Sequence, residues 1–121
     1  MTKFNVKALG IKKDIDVNVT NALVELVSNV NLTLAESMDM ANKDDNQIMK
    51  EAKKANEAER LLFIKGLKLS EKEAKRIIEN VPSFDLNVWL KEFTSAVFMV
   101  RNYGMTLQEM EKKTKNSHPT E

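Results

Sequence analysis

Cysteine is absent from this sequence of 121 residues, and the chain has one histidine, three glycines and two prolines. Without cysteine there is no disulfide, no thiolate metal site and no cysteine nucleophile. The single histidine, His118, lies in a polar C-terminal tail, where we expect a solvated imidazole. The acidic residues lie at expected helix starts or on charged faces. We therefore expect no enzyme activity, no cofactor and no metal ligand set.

A calcium site is the one metal site that the sequence superficially offers, through the oxygen-bearing side chains of residues 42–53. The loop departs from the calcium pattern at its two strict positions. Gln47 occupies the position of the sharp-turn glycine, and Lys53 occupies the position of the bidentate glutamate. We expect no calcium binding here.

Long apolar runs are also missing. No stretch approaches the roughly 20 apolar residues of a membrane-spanning helix. Residues 1–10 contain Lys3 and Lys7, and no apolar run of signal-peptide length follows them. We therefore expect a protein of the cytoplasm with no membrane partner.

The scarcity of glycine and proline favours helices, since residues 11–65 contain neither. An apolar stripe at spacings of four and three predicts a first helix, with Thr20 or Asn21 as its N-cap. The stripe consists of Leu23, Val27, Val30, Leu34 and Met38. The polar residues 42–46 predict a break, after which Asp44 or Asp45 caps a second helix. That helix is expected to run to Lys65, with Gly66 just beyond its C-terminus.

Three further helices are predicted in the second half of the chain. Ser70 and Glu73 form a capping-box pattern that opens a short helix, which Pro82 ends. Ser83 or Asp85 is expected to cap the next helix, which carries most of the aromatic side chains and forms the core. Its apolar stripe consists of Leu86, Trp89, Leu90, Phe93, Ala96, Val97 and Val100.

The last predicted helix follows Gly104, which suits a helix C-terminus. Thr106 and Glu109 form a second capping-box pattern, opening a helix to about Thr114.

The N-terminal residues alternate between apolar and polar in two short stretches, residues 3–9 and 14–19. This period of two predicts either a β-hairpin or an extended arm, and the sequence does not decide between them. The expected fold class is therefore mainly α, a small bundle of four to five helices with a short N-terminal hairpin or arm. We expect one domain over residues 1–114 and a disordered tail over residues 115–121.

Charge is nearly balanced, with 19 basic and 18 acidic residues, but it is unevenly distributed. The net charge is +4 over residues 1–13, −6 over residues 14–47 and +3 over residues 48–121. This pattern is compatible with head-to-tail self-association. The sequence also contains a basic cluster, which could contact the phosphates of DNA. The cluster consists of Lys65, Lys68, Lys72, Lys75 and Arg76.

Two apolar segments exceed what one helix face can bury. The four apolar residues 61–64 cover every side of a helix, so this end lies either at the centre of the bundle or against a partner. Phe98 and Met99 lie off the main stripe of their helix. Seven methionines add adaptable apolar side chains. The predicted partner or self-association surface consists of Phe63, Ile64, Phe98, Met99, Met105, Leu107 and Met110.

The size, the alternating N-terminus, the helical middle and the ending over residues 102–110 together resemble one family. The chain is similar to tail assembly chaperones of long non-contractile-tailed phages, of the lactococcal siphophage type. Residues 102–110, with Gly104 before the capping box at Thr106, carry the most specific part of that likeness. The resemblance identifies no functional residue that transfers to a position here.

The resemblance implies a non-catalytic chaperone that binds and solubilises the tape measure protein before the tail tube polymerises. It further implies a homo-oligomer in which dimers build a ring or spiral, forming a helical coat in the host cytoplasm. Such a chaperone is not expected to bind nucleic acid or to stay in the mature virion. The alternative hypothesis is a small DNA-binding regulator that uses the basic cluster between Lys65 and Arg76.

Overall fold

Five α-helices follow a short two-stranded antiparallel sheet in the computed structural model of the chain, which describes residues 2–117 and the side chains of residues 2–113. The elements are β1 (Thr2–Phe4), β2 (Ile15–Val17), α1 (Asn21–Met38), α2 (Asp45–Leu61), α3 (Glu71–Asn80), α4 (Ser83–Tyr103) and α5 (Leu107–Ser117). This confirms the predicted mainly α fold. Among these helices, none is long and apolar enough to cross a membrane.

The N-terminal residues form the hairpin rather than the extended arm. Phe4 pairs with Ile15 and Thr2 with Val17 in an antiparallel register. A 3₁₀ turn over Lys7–Leu9 follows β1 and ends at Gly10, whose φ of 78° lies in the left-handed region that favours glycine. Phe4 and Val17 are buried, so the apolar face of the hairpin is covered as a two-stranded ribbon requires.

The caps of the first two helices are as the sequence predicts. The Thr20 hydroxyl accepts a hydrogen bond from the Leu23 amide at 3.2 Å, and the Asp44 carboxylate accepts one from the Gln47 amide at 2.8 Å. Both side chains satisfy amides that the first turn of a helix leaves without partners. The break between α1 and α2 lies at residues 39–44, close to the predicted one.

The apolar stripe of α1 leaves the core before the helix ends. Leu23, Val27 and Val30 are buried, whereas Leu34 is half-buried and Met38 is 57% exposed. The prediction that Met38 continues the buried stripe is therefore wrong. Periodicity identifies the side of a helix that is apolar, but it does not show how far along that side a neighbour packs.

The junction between α2 and α3 differs from the predicted glycine-terminated helix. The helix loosens into a π turn over Leu62–Gly66, and Lys68, at φ 60°, takes the left-handed conformation. Gly66 instead serves a close approach. A Cβ at this position would lie 2.9 Å from the Leu23 methyl and 3.0 Å from a Leu62 methyl. Its lack of a side chain lets the Leu23 methyl of α1 pack closely against the backbone here.

The helices of the second half of the chain lie where the sequence predicts them, but the N-cap of α4 and the end of α5 differ from the prediction. Neither Ser83 nor Asp85 is the N-cap of α4, because Pro82 takes that position without a side-chain hydrogen bond. Proline has a compatible φ and no amide to satisfy there. The helix α5 also continues to Ser117, beyond its predicted end near Thr114, and residues 118–121 of the predicted tail lie outside the described residues. Missing apolar residues do not end a helix whose hydrogen bonds come from the backbone.

The core lies where the hairpin, α1, the π turn and α4 meet. Asn31 on α1 donates to the Thr94 hydroxyl on α4 at 2.8 Å, tying those two helices beside the apolar contacts. The buried apolar side chains of this cluster are Phe4, Val6, Leu9, Val17, Leu23, Val27, Val30, Ala58, Leu62, Phe63, Leu67, Ala74, Ile77, Leu86, Trp89, Leu90, Phe93 and Val97.

Candidate functional site

An elongated groove runs between the β-hairpin, α4 and the start of α5. It has a volume of about 690 Å³. Its buried side chains are the aromatic rings of Phe4, Trp89 and Phe93. Met99, half-buried, and Leu107, 57% exposed, add an aliphatic side. We call this site the hairpin groove.

Three aromatic rings fix the floor of the hairpin groove. Trp89 and Phe93 stack with ring centroids 4.8 Å apart, and Phe4 meets Phe93 edge to face at the same distance. The Trp89 indole N–H donates to the Asn5 carbonyl oxygen at 2.9 Å. This bond satisfies the only polar atom of a buried ring and fastens the hairpin to α4.

The remaining side of the hairpin groove depends on the cap of α5. The Glu109 amide donates to the Thr106 hydroxyl at 3.2 Å, and the Thr106 amide donates to the Glu109 carboxylate at 3.2 Å. This is the reciprocal capping box that the sequence predicts. It starts α5 at Leu107, which places that side chain against the groove.

The charges beside the hairpin groove are mainly positive. Lys3, Lys7 and Lys91 line it and are exposed, and among the side chains that the structure describes Glu92 is the one acid of the lining. Exposed ammonium groups around a partly apolar floor favour a partner that combines apolar side chains with acidic ones.

The predicted partner surface is only partly assembled. Met99 and Leu107 both line the hairpin groove. Met105 and Met110 are half-buried nearby in sequence and do not line it. The remaining predicted residues, Phe63, Ile64 and Phe98, lie elsewhere.

Phe63 was misassigned, because it has no exposed surface and belongs to the core. Ile64 and Phe98 are half-buried and pack against that core, and the Arg101 guanidinium lies 5.9 Å from the centre of the Phe98 ring. The apolar residues 61–64 thus follow the bundle-centre alternative. Sequence could not choose between the alternatives, since a core and an interface need the same apolar side chains.

A second exposed apolar feature was missed by sequence reasoning. Met38, Met40 and Met49 are 57%, 64% and 57% exposed, and all lie within residues 36–49, which we call the α1–α2 tip. Of the three, the sequence pattern places only Met38, in the apolar stripe of α1. The usable signal was their position beside the predicted break, where neither helix has a neighbour on its far side.

One lysine joins the two helices of the α1–α2 tip. The Lys43 ammonium donates to the Glu36 carbonyl oxygen at 2.7 Å and to the Glu51 carboxylate at 2.6 Å. Both partners of this ion pair expose only 14% of their side chains. Water is largely excluded from the pair, so it joins the end of α1 to α2 more firmly than an exposed ion pair would.

The basic cluster proposed for DNA is interleaved with acids. The Arg76 guanidinium donates to the Leu9 carbonyl oxygen at 2.9 Å and to Glu73 at 2.8 Å, an ion pair that lowers the pKa of Glu73. Lys75 lies 3.9 Å from Glu79. The Arg76 head is thus occupied in anchoring the loop after β1.

Lys72 and Lys75 line a second groove, between α2 and α3, with a volume of about 510 Å³. The same groove contains Glu57, Glu71 and Glu79, and Arg60 in it is paired with Glu57 at 3.1 Å. A surface of alternating sign attracts a phosphate backbone weakly, because each acid cancels part of the field of its neighbours.

One carboxyl group is buried without a role in either groove. Glu59 is 3% exposed on the face of α2 that carries Ala55, and desolvation raises its pKa to about 7. Within the described residues, no group of three or more histidine, aspartate or glutamate side chains is arranged to hold a metal. We take the hairpin groove as the candidate site, because it combines residues of the predicted partner surface, Met99 and Leu107, with a lining that is largely apolar at its floor.

The chain was compared with known protein families, curated proteins and solved structures. No protein-family profile, curated protein or solved structure matches the chain.

Proposed function

We propose that this chain is a non-catalytic phage tail assembly chaperone that binds and solubilises the tape measure protein before the tail tube polymerises. The observation that carries the proposal is the hairpin groove, with its aromatic floor and with Met99 and Leu107 at its side. Grooves of this kind bind an amphipathic helix by its apolar face.

The chemistry of the client supports this choice. A tape measure protein is expected to expose long apolar helical stripes until the tube surrounds it, and such stripes aggregate. Flexible methionine side chains adapt to many apolar sequences rather than to one. Several copies, each bound weakly, would cover a long client tightly in sum.

The alternative DNA-binding regulator is less well supported. Arg76 is occupied by Glu73 and Leu9, and Lys72 and Lys75 are accompanied by acids. A DNA-binding face would leave several basic heads free to meet phosphates on one side.

Co-expression with a tape measure protein from a long-tailed lactococcal phage tests the proposal. We expect the wild-type chain to keep the tape measure protein in the supernatant and to elute with it, with light scattering giving a complex of many copies. The Leu107→Asp variant should lose this effect, because it places a charge at the apolar side of the hairpin groove.

Phe84→Asp is the matched control, because Phe84 is 69% exposed and lies outside the groove. It should act like the wild type. The proposal fails if the tape measure protein remains insoluble with the wild-type chain. A salt-sensitive gel shift of duplex DNA by the purified chain would favour the regulator instead.

A further inference from the structure

The two exposed apolar features of this chain carry opposite charges. Residues 36–49 of the α1–α2 tip contain four acids and one lysine, and that lysine, Lys43, is already paired with Glu51. The lining of the hairpin groove contains three lysines and one glutamate. The exposed apolar content of the tip lies in its methionines, and that of the groove in Leu107 and the half-buried Met99.

Local contacts hold both surfaces in place. The Lys43 ammonium joins the end of α1 to α2 through its bonds to Glu36 and Glu51. The floor of the groove is held by stacked rings and by the Trp89 hydrogen bond. Contacts that exist before association lower the entropic cost of binding.

We propose that the α1–α2 tip of one copy docks into the hairpin groove of a second copy. Met40 and Met49 would meet Leu107 and Met99 at the side of the groove, while the acids of the tip face Lys3, Lys7 and Lys91. The partner is a second copy of this chain, because an exposed surface of acidic and apolar side chains that complements the groove is present on the same molecule.

An interface of this kind is heterologous, because the tip and the groove share no residue. Each docked copy keeps one free tip or one free groove, so the contact repeats along an open chain unless its rotation closes a ring. A groove that holds a tip cannot hold a client helix. Self-association and client binding therefore compete, and this regulatory consequence rests on the proposed function.

Light scattering and sedimentation of the purified chain without any client test the docking. We expect the mass to rise above 13.8 kDa with protein concentration. The association should weaken in concentrated salt, because the Debye screening length falls to about 3 Å at an ionic strength of 1 M. A wild-type chain that stays at 13.8 kDa at every concentration would overturn the proposal.

Two variants with exposed substitution sites locate the contact. Met40→Asp with Met49→Asp disables the tip, and Leu107→Asp disables the groove. We expect each variant alone to remain a monomer, with the helical circular dichroism of the wild type. An equimolar mixture should form a one-to-one complex that grows no further, because it contains one intact tip and one intact groove.

This mixing result separates a tip-in-groove contact from a tip-to-tip or groove-to-groove contact, neither of which a mixture would restore. Phe84→Asp is again the control and should associate like the wild type. Variants of the tip and groove that associate normally would overturn the proposal.

Charge reversal supplies an independent test of the docking. Glu36→Lys and Lys91→Glu should each weaken association, whereas the chain carrying both changes should recover part of it, since opposite signs again face each other. A double variant weaker than either single variant would contradict the docking.

The client arm distinguishes this inference from the proposed function. Adding tape measure protein should release wild-type copies from their head-to-tail assemblies. If self-association follows the tip and groove variants but the client stays insoluble, only the proposed function fails. If the client is solubilised by a chain that is monomeric alone, only the docking fails.

Discussion

The aromatic ring of Phe93 shows at the scale of one residue how packing is shared between elements. It stacks on Trp89 from the same helix and meets Phe4 from the hairpin, and it is 3% exposed. Removing it would leave a cavity bounded by two elements that cannot close independently.

Phe93→Ala is therefore expected to lower the free energy of unfolding by about 3–5 kcal/mol. Urea denaturation followed by circular dichroism measures the loss. Phe84→Ala removes a ring of the same size from an exposed position, and its effect should stay within about 0.5 kcal/mol. Equal losses in the two variants would contradict the assignment of Phe93 to the core.

At the same scale, the buried carboxyl of Glu59 makes the stability of the fold depend on pH. Its pKa rises from an ordinary value of 4.5 to about 7 in the folded chain, because burial disfavours the charged form. The folded chain thus holds a proton that the unfolded chain releases. Stability from this group is present below pH 4.5 and is lost as the pH rises through 7.

Glu59→Gln should remove that dependence. The wild type is expected to lose roughly 3 kcal/mol between pH 4.5 and 8 through this group, whereas the variant, neutral at both values, should keep more of its stability. Urea titrations of both proteins at the two pH values measure the difference. Glu25→Gln, an exposed carboxyl on α1, should behave like the wild type.

At the scale of elements, helix α5 depends on its cap more than on its packing. Leu107 is exposed and the following residues are largely polar, so few apolar contacts hold the helix. Its reciprocal bonds between Thr106 and Glu109 are the main local stabilisation of its first turn.

Thr106→Ala should cost α5 about 0.5–2 kcal/mol of local stability. Amide hydrogen exchange should rise across α5 while the amides of α1 keep their protection. Self-association should also weaken, because Leu107 loses its fixed position at the hairpin groove. Thr33→Ala is the control, because the Thr33 hydroxyl donates hydrogen bonds to backbone carbonyl oxygens of its own helix, α1. Unchanged exchange in α5 would contradict this account.

The elements also show where sequence patterns were sufficient. The caps at Thr20, Asp44 and Thr106 were predictable because each depends on a side chain three residues or fewer from its partner amide. The π turn at Leu62–Gly66 was not predictable. At its last residue, Gly66, it packs closely against Leu23, which lies 43 positions earlier in the sequence.

At the scale of the whole molecule, the hairpin and the helices share one core. The cluster includes Phe4 and Val17 from the hairpin as well as side chains of α1, α3 and α4. The hairpin is tied down by Trp89 bonding to Asn5 and by Arg76 bonding to Leu9. It should not unfold separately.

The single tryptophan makes this cooperativity measurable. Trp89 lies where the hairpin meets α4, so its fluorescence reports that contact, whereas far-ultraviolet circular dichroism reports the helices. We expect the two urea transitions to coincide at low protein concentration, where self-association does not contribute. A fluorescence change that precedes the loss of helix would show that the hairpin detaches first.

The candidate site shows which of the residues predicted for a partner surface the fold brings together and which it buries. Met99 and Leu107, two residues of the predicted partner surface, line the same groove. Phe63 was assigned to the same surface and is buried. Whether an excess apolar side chain meets a core or a partner depends on neighbours that are distant in sequence.

The sequence by itself determined the class of fold, the positions of most helix starts and the uneven charge of the chain. These properties depend on side chains a few residues apart or on composition. Only the tertiary structure decided that the N-terminus is a hairpin seated on α4, that Gly66 packs closely against Leu23, and that the methionines of the α1–α2 tip are exposed. Each of those outcomes depends on which distant element packs against a residue, and no local pattern encodes that choice.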